Sequence, residues 1–133
     1  MKARREWAVE FYTDAKGRQP VRQWLQSLQE ETRARVAAHI NLLATEGPTL
    51  DYPYTSQIEG KLRELRVQIS GTNHRILYFF DPERTCILLH AFVKTTAAVP
   101  VADKKLGMDR MEDHATRRNK PVRTKDGRKN EKD

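Results

Sequence analysis

Apolar and polar residues alternate with a period of two, or form short apolar runs, along the middle of the chain, which predicts β-strands. The first run covers residues 61–69, the second residues 75–80 and the third residues 85–93. The third run is apolar enough to be covered on both faces. Residues 70–73 contain Gly and Asn, and residues 81–84 contain Pro, as expected for turns. The pattern therefore predicts an antiparallel three-strand meander.

Four basic residues accompany these strands: Arg63, Arg66, Arg75 and Lys94. Paired strands lie about 4.8 Å apart, so side chains that are distant in sequence can meet on one sheet. We interpret the set as a cationic patch that binds phosphate. The alternative is that each side chain reaches solvent separately or pairs with a carboxylate such as Glu64.

The flanking segments predict one further strand and three helices. Residues 7–12 alternate as a strand, residues 20–28 and 30–45 carry helical apolar stripes, and residues 100–117 form a third helix that begins at a proline. Residues 50–59 show no period and are predicted to be a loop. The apolar face of the last helix comprises Leu106, Met108 and Met111, with Gly107 between them.

The order of elements predicts an α+β fold: an N-terminal strand, a helical hairpin, the meander and a C-terminal helix. A chain of 133 residues is long enough for one domain with one modest core. We assign residues 1–118 to this domain. Residues 119–133 contain a single large apolar residue, Val122, and are predicted to be a disordered basic tail.

Composition narrows the classes of function. The formal net charge is +7, which favours nucleic acid or another acidic partner. The lone Cys86 excludes an intramolecular disulfide, and no apolar run is long enough for a membrane span, so a cytoplasmic protein is expected. Neither metal-ligand spacing nor a glycine-rich phosphate loop occurs, and we expect no metal and no cofactor.

Four motifs, in order, resemble the phage-derived HigB branch of the RelE toxin superfamily. They are P-V-x-x-W-L-x-x-L in the first helix, G-K-L-x-E-L-R at Gly60 to Arg66, H-R-I-L-Y-F-F at His74 to Phe80, and L-L-H-A-F-V-K-T before the last helix. The resemblance covers about residues 5 to 115. It implies a toxin of a type II toxin-antitoxin system that cleaves mRNA on the ribosome. It also implies a HigA-like helix-turn-helix antitoxin as partner.

The same resemblance assigns catalytic positions to Arg66, Arg75 and Lys94, and more weakly to Arg63. A second basic residue often follows the last of these in the family, whereas Thr95 stands there in this chain. This difference bears on catalytic power rather than on the fold.

Metal-independent RNA cleavage uses the 2′-hydroxyl as nucleophile, so the enzyme must supply a proton acceptor, charge stabilisation and a proton donor. Arginine suits charge stabilisation because it stays protonated and grips two phosphate oxygens, which makes Arg66 and Arg75 the expected phosphate clamps. Lys94 can donate to the phosphate or to the leaving oxygen. Glu64 and His90 are possible proton carriers. Additional RNA contacts are predicted for Lys61, Arg63, Lys104 and Lys105.

No pairing of a strong acid with a strong base is evident, so we expect weak cleavage of free RNA and a ribosome that orients the substrate. Two other functions fit the sequence. One is a noncatalytic inhibitor of DNA gyrase that resembles the ParE branch, since fold alone does not separate the two activities. The other is a nontoxic basic module that binds nucleic acid.

Overall fold

The computed structural model describes residues 7–118, which form a five-stranded sheet between two helical layers. The strands follow the order β1-β5-β4-β3-β2 across the sheet. The elements in chain order are β1 (Ala8–Phe11), α1 (Pro20–Ser27), α2 (Glu30–Glu46), β2 (Thr55–Glu59), β3 (Leu62–Ile69), β4 (Thr72–Asp81), β5 (Thr85–Lys94) and α3 (Val101–Arg118). The predicted α+β class and order of elements are confirmed.

The meander contains one strand more than predicted. Thr55–Glu59, expected to be part of a loop, pairs antiparallel with β3 and forms the sheet edge. The loop prediction was wrong here because the edge strand is short and its pattern is mixed. Burial nevertheless alternates along it, starting from the buried side chain of Thr55.

The turn between β3 and β4 is also tighter than predicted. It comprises Ser70 and Gly71, both with positive φ (51° and 81°), so β4 begins at Thr72 and not at Arg75. A two-residue turn with positive φ at both positions matches the natural twist of a hairpin. The resulting strand register places Arg66 of β3 directly opposite Arg75 of β4.

The first strand joins the last one. β1 runs parallel to β5, with Ala8 opposite Thr85 and Phe11 opposite Leu88. The long connection required between parallel strands contains both helices of the hairpin and the rest of the meander.

Each sheet face has its own core. On the first face, α1 and α2 cover buried residues that include Leu65, Ile76 and Leu88. On the second face, α3 covers Leu62, Leu77 and others. As expected for a strand covered on both sides, Ile87, Leu88 and Leu89 of β5 have no exposed surface.

Helix α3 approaches the sheet closely at Gly107, which is buried. A Cβ atom at this position would lie 2.7 Å from Cδ1 of Leu77. Met108 and Met111 pack on the second core as predicted, whereas Leu106 is exposed, in contrast to the prediction. The glycine therefore allows close helix packing, although it lowers helix propensity.

The predicted tail at 119–133 lies outside the described residues. Within residues 7–118, no helix is long and apolar enough to cross a membrane.

Candidate functional site

Strand pairing brings three of the predicted basic residues to one face of the sheet, the face that α3 partly covers. Arg66 and Arg75 are directly opposite each other on β3 and β4. Lys94 pairs with Asn73, two positions before Arg75, so it lies one strand away from Arg75 and two strands away from Arg66, and about 7 Å farther along the sheet. We call Arg66, Arg75 and Lys94 the cation cluster.

A buried carboxylate lies among these cations. Glu64 is 2% exposed, and its Oε2 accepts hydrogen bonds from the Ser56 hydroxyl at 2.6 Å and from Nη1 of Arg66 at 3.2 Å. Its Oε1 lies 3.2 Å from Nε of Arg75. That contact is an ion pair without hydrogen-bond alignment, since neither atom has a hydrogen-bond partner. Glu64 therefore acts as counter-ion to both arginines.

Arg75 is almost fully enclosed, with 4% of its surface exposed. Burial lowers the pKa of its guanidinium; the Glu64 carboxylate raises it, and the charge of Arg66 lowers it further. Arginine still remains protonated at neutral pH because its ordinary pKa is so high. Arg75 thus places a fixed positive charge beneath the surface, and its Nη1 also donates to the backbone carbonyl of His74 at 3.1 Å.

Lys94 is more accessible to solvent than Arg75. It ends β5 and lines a shallow cleft with Thr72, Asn73 and Thr95. In the described part of the chain no carboxylate forms an ion pair with it. The side chain of Arg66 is 25% exposed, so these two residues present the positive charge that a dissolved anion can reach.

His90 lies on the same face as the cation cluster and has a fixed orientation. Its Nε2 lies 2.6 Å from Oδ1 of Asp103 in the first turn of α3. Its ring stacks on Phe92, with the centroids 5.3 Å apart and an interplanar angle of 18°. Phe92 is in turn opposite Arg75 on the neighbouring strand. A carboxylate that holds one imidazole nitrogen leaves the other free for proton transfer.

The other predicted RNA-binding residues do not join the cluster. Arg63 points to the opposite face, where its guanidinium donates to the hydroxyl of Thr55 at 3.0 Å. Lys61 is exposed in the turn before β3. On α3, Lys104 pairs with Glu59, and Lys105 pairs with Asp109.

Two residues near the cluster escaped sequence reasoning. Asp103 lies within the predicted third helix and Tyr52 within the predicted loop of residues 50–59, where no pattern assigns a role to either residue. The Arg66 guanidinium lies over the Tyr52 ring, 5.0 Å from its centroid. The proximity of Pro53 to Tyr52 and Tyr54 signals an exposed turn, but no local pattern indicates which strand that turn contacts.

The arrangement can bind a phosphate group and stabilise added negative charge. Arg66 and Lys94 offer donors at the surface, and Arg75 adds charge from below. His90 is the nearby side chain whose imidazole can both accept and donate a proton. Among the described residues, no cluster of His, Cys, Asp or Glu could hold a metal ion.

Comparison with known proteins yields one family and two curated relatives. The family model for phage-derived Gp49-like proteins (DUF891) matches residues 23–112. A candidate toxin of Mycobacterium tuberculosis (strain H37Rv), HigB3, is 40% identical over 73 residues, which is 52% of this chain and 62% of that protein. A second from the same organism, HigB2, is 36% identical over 88 residues, 62% of this chain and 44% of that protein. The chain thus spans about half of the curated relatives it matches.

Proposed function

The chain belongs to the phage-derived Gp49-like family, and we propose that it is the HigB-like toxin of a type II toxin-antitoxin system and cleaves mRNA. The resemblance to HigB toxins is shown by the two relatives. The observation that carries the proposed activity is the placement of Arg66, Arg75 and Lys94 on one sheet face.

This set of side chains suits a reaction in which a 2′-hydroxyl of the RNA attacks the neighbouring phosphate and cleaves the strand. Attack on the adjacent phosphorus breaks the bond to the 5′-oxygen, leaves a cyclic phosphate and adds negative charge in the transition state. Arg66 and Lys94 would contact the phosphate oxygens, and Arg75 would stabilise the charge electrostatically. His90 would accept the proton of the attacking 2′-hydroxyl and pass it to the leaving 5′-oxygen, because Glu64 is engaged by both arginines and by Ser56.

Three further features belong to the proposal. The reaction needs no metal, since positive side chains supply the charge stabilisation. The ribosome presents the mRNA in the cytoplasm, because a single histidine among cations is a modest catalyst for free RNA. An antitoxin, expected to be a HigA-like helix-turn-helix protein, silences the activity.

The experiment is primer extension on a reporter mRNA after brief induction in growing cells. We expect discrete cuts inside translated regions that disappear in Lys94→Ala and Arg66→Ala and when translation is blocked. Lys16→Ala is the matched control, since Lys16 is exposed in the turn before α1. Growth arrest with intact mRNA in the wild type would overturn the nuclease and favour a gyrase inhibitor.

Metal independence and the partner have separate tests. Cleavage of translated mRNA in a purified translation mixture should persist when Mg²⁺ is the only divalent metal and Zn²⁺, Mn²⁺ and Ca²⁺ are chelated selectively. Co-expression of the neighbouring reading frame should restore growth and yield a stable complex. Loss of cleavage on removal of a trace metal, or continued arrest with the neighbour present, would contradict these two parts.

A further inference from the structure

The turn before β2 presents two tyrosines to solvent. Tyr52 is 68% exposed and Tyr54 is 44% exposed, which places both among the exposed large hydrophobic residues of the described part of the chain. Exposed aromatic rings next to positive charge are typical of surfaces that bind single-stranded nucleic acid. Their position relative to the cation cluster decides whether this interpretation applies here.

Arg66 ties the turn to the cation cluster. Its backbone N–H donates to the Tyr54 carbonyl at 2.8 Å, and its Nε donates to the Pro53 carbonyl at 3.0 Å. Its Nη1 donates to Glu64, which fixes the other end of the guanidinium. The same arginine therefore contacts the turn and the buried carboxylate.

The turn is also held from within. The backbone N–H of Tyr52 donates to the Asp51 carboxylate at 2.8 Å, and that of Tyr54 donates to the Asp51 carbonyl at 3.0 Å. The second of these bonds joins the first and fourth residues of a β-turn. The ring of Tyr52 is thus held beside the cluster before any ligand binds.

Arg66 covers one face of the Tyr52 ring, and most of the residue remains exposed to solvent. The guanidinium of Arg66 lies over the ring, 5.0 Å from its centroid, yet 68% of the residue stays exposed. A flat group can stack on the open side, while the phosphate that follows it in the same chain reaches Arg66 and Lys94. A nucleotide has this combination of a flat apolar base and an adjacent anion.

We propose that Tyr52 is the stacking platform for one unpaired base of the RNA whose phosphate contacts Arg66 and Lys94. The inference rests on the proposed function and deepens it by specifying single-stranded RNA with a base turned out of its own stack. Every base has a flat face, so the platform contributes affinity and positioning with little choice of sequence. Tyr54 lies beside His39 of α2, with the two ring centroids 6.4 Å apart, and is not assigned to the base.

The test is binding of fluorescently labelled 12-nucleotide RNA with 2′-O-methyl groups, which lack the attacking hydroxyl and are not cut. Tyr52→Ala should lose about 5- to 150-fold in affinity, the range for one base stacked on an aromatic ring. Tyr52→Phe should bind within about twofold of the wild type, because stacking needs no hydroxyl. Val101→Ala is the control, since Val101 is 83% exposed on α3 and apolar.

A series of RNAs with one abasic site each identifies the base. At one position the wild type should lose the same factor as Tyr52→Ala, and the variant should lose nothing more. Duplex RNA of the same sequence should bind more weakly to the wild type, and Tyr52→Ala should not weaken it further.

The outcomes separate the two proposals. If Tyr52→Ala binds like the wild type while Arg66→Ala and Lys94→Ala bind weakly, the stacking inference is wrong and RNA binding by the cluster stands. If neither cluster variant changes RNA affinity, the proposed function fails at this site, whatever Tyr52 does.

Discussion

Nε of Arg75 lies 3.2 Å from Oε1 of Glu64, and the two side chains are only 5% and 3% exposed. Such a pair costs much desolvation, and its main effect is that neither charge is buried alone. The pair also fixes Arg66, which shares the carboxylate. The most enclosed part of the candidate site is therefore a charged unit whose members depend on one another.

Removing Glu64 alone should destabilise the fold. We expect Glu64→Ala to lower the free energy of unfolding by about 3–5 kcal/mol, because Arg75 would remain buried without its counter-ion. The double variant Glu64→Leu with Arg75→Met should recover much of that loss. Urea unfolding measures both, with Glu112→Ala as the exposed control. A single variant as stable as the wild type would show that solvent reaches Arg75.

Gly107 offers a test in which helix propensity and packing predict opposite signs. Propensity favours Gly107→Ala by up to about 1 kcal/mol, whereas the 2.7 Å approach to Leu77 should make it destabilising by about 1–3 kcal/mol. Adding Leu77→Val should reduce the loss, since it trims the side chain that the new methyl group meets. A more stable Gly107→Ala protein would mean that α3 moves outward at little cost.

The pair of His90 and Asp103 should matter for cleavage and less for binding. His90→Ala should lower the cleavage rate by about a hundredfold or more, in the range of general acid–base catalysis, with little change in RNA affinity. Asp103→Asn should also lower the cleavage rate, because it replaces the carboxylate whose Oδ1 lies 2.6 Å from Nε2 of His90 and orients the imidazole. Asp109→Asn, which alters an exposed ion pair on the same helix, serves as control. Unchanged rates in both site variants would remove His90 from the mechanism.

Lowering the pH should weaken the contact between α3 and Tyr12, the residue that follows β1. The Tyr12 hydroxyl donates to Asp113 at 2.6 Å, and this bond, with those from Arg117, lowers the pKa of the Asp113 carboxyl. A carboxyl with a lowered folded-state pKa stabilises the fold above its unfolded value of about 3.9 and loses that contribution as the pH falls through the folded value. Urea midpoints measured from neutral pH to below 3 should thus converge for the wild type and Asp113→Asn. A difference that persists at the lowest pH would contradict this linkage.

Local patterns in the sequence predict the strands and helices well, because alternation and helical stripes are local properties. The same alternation already places Arg63 and Arg66 on opposite faces of β3, so their grouping in one patch overlooked available information. The edge strand Thr55–Glu59 escaped prediction because it is half exposed and borders an irregular turn.

Contacts between elements could not be predicted in the same way. The bond between His90 and Asp103 depends on where α3 docks, and the contact of Arg66 with Tyr52 depends on how the edge turn folds back. Both are products of tertiary packing, which brings together residues that are 13 and 14 positions apart in the chain. Asp103 and Tyr52, which respectively orient His90 and contact Arg66, are therefore residues that no local sequence pattern identifies.

The parallel pairing of β1 with β5 has a consequence for synthesis of the chain. Ala8 and its partner Thr85 are 77 residues apart, so the first strand leaves the ribosome long before its neighbour exists. A nascent chain that ends before β5 lacks the strand that pairs with both β1 and β4, together with two residues of the proposed site, His90 and Lys94. Contacts between such distant segments form late and slowly. The proposed activity therefore requires that synthesis of the chain has passed Lys94.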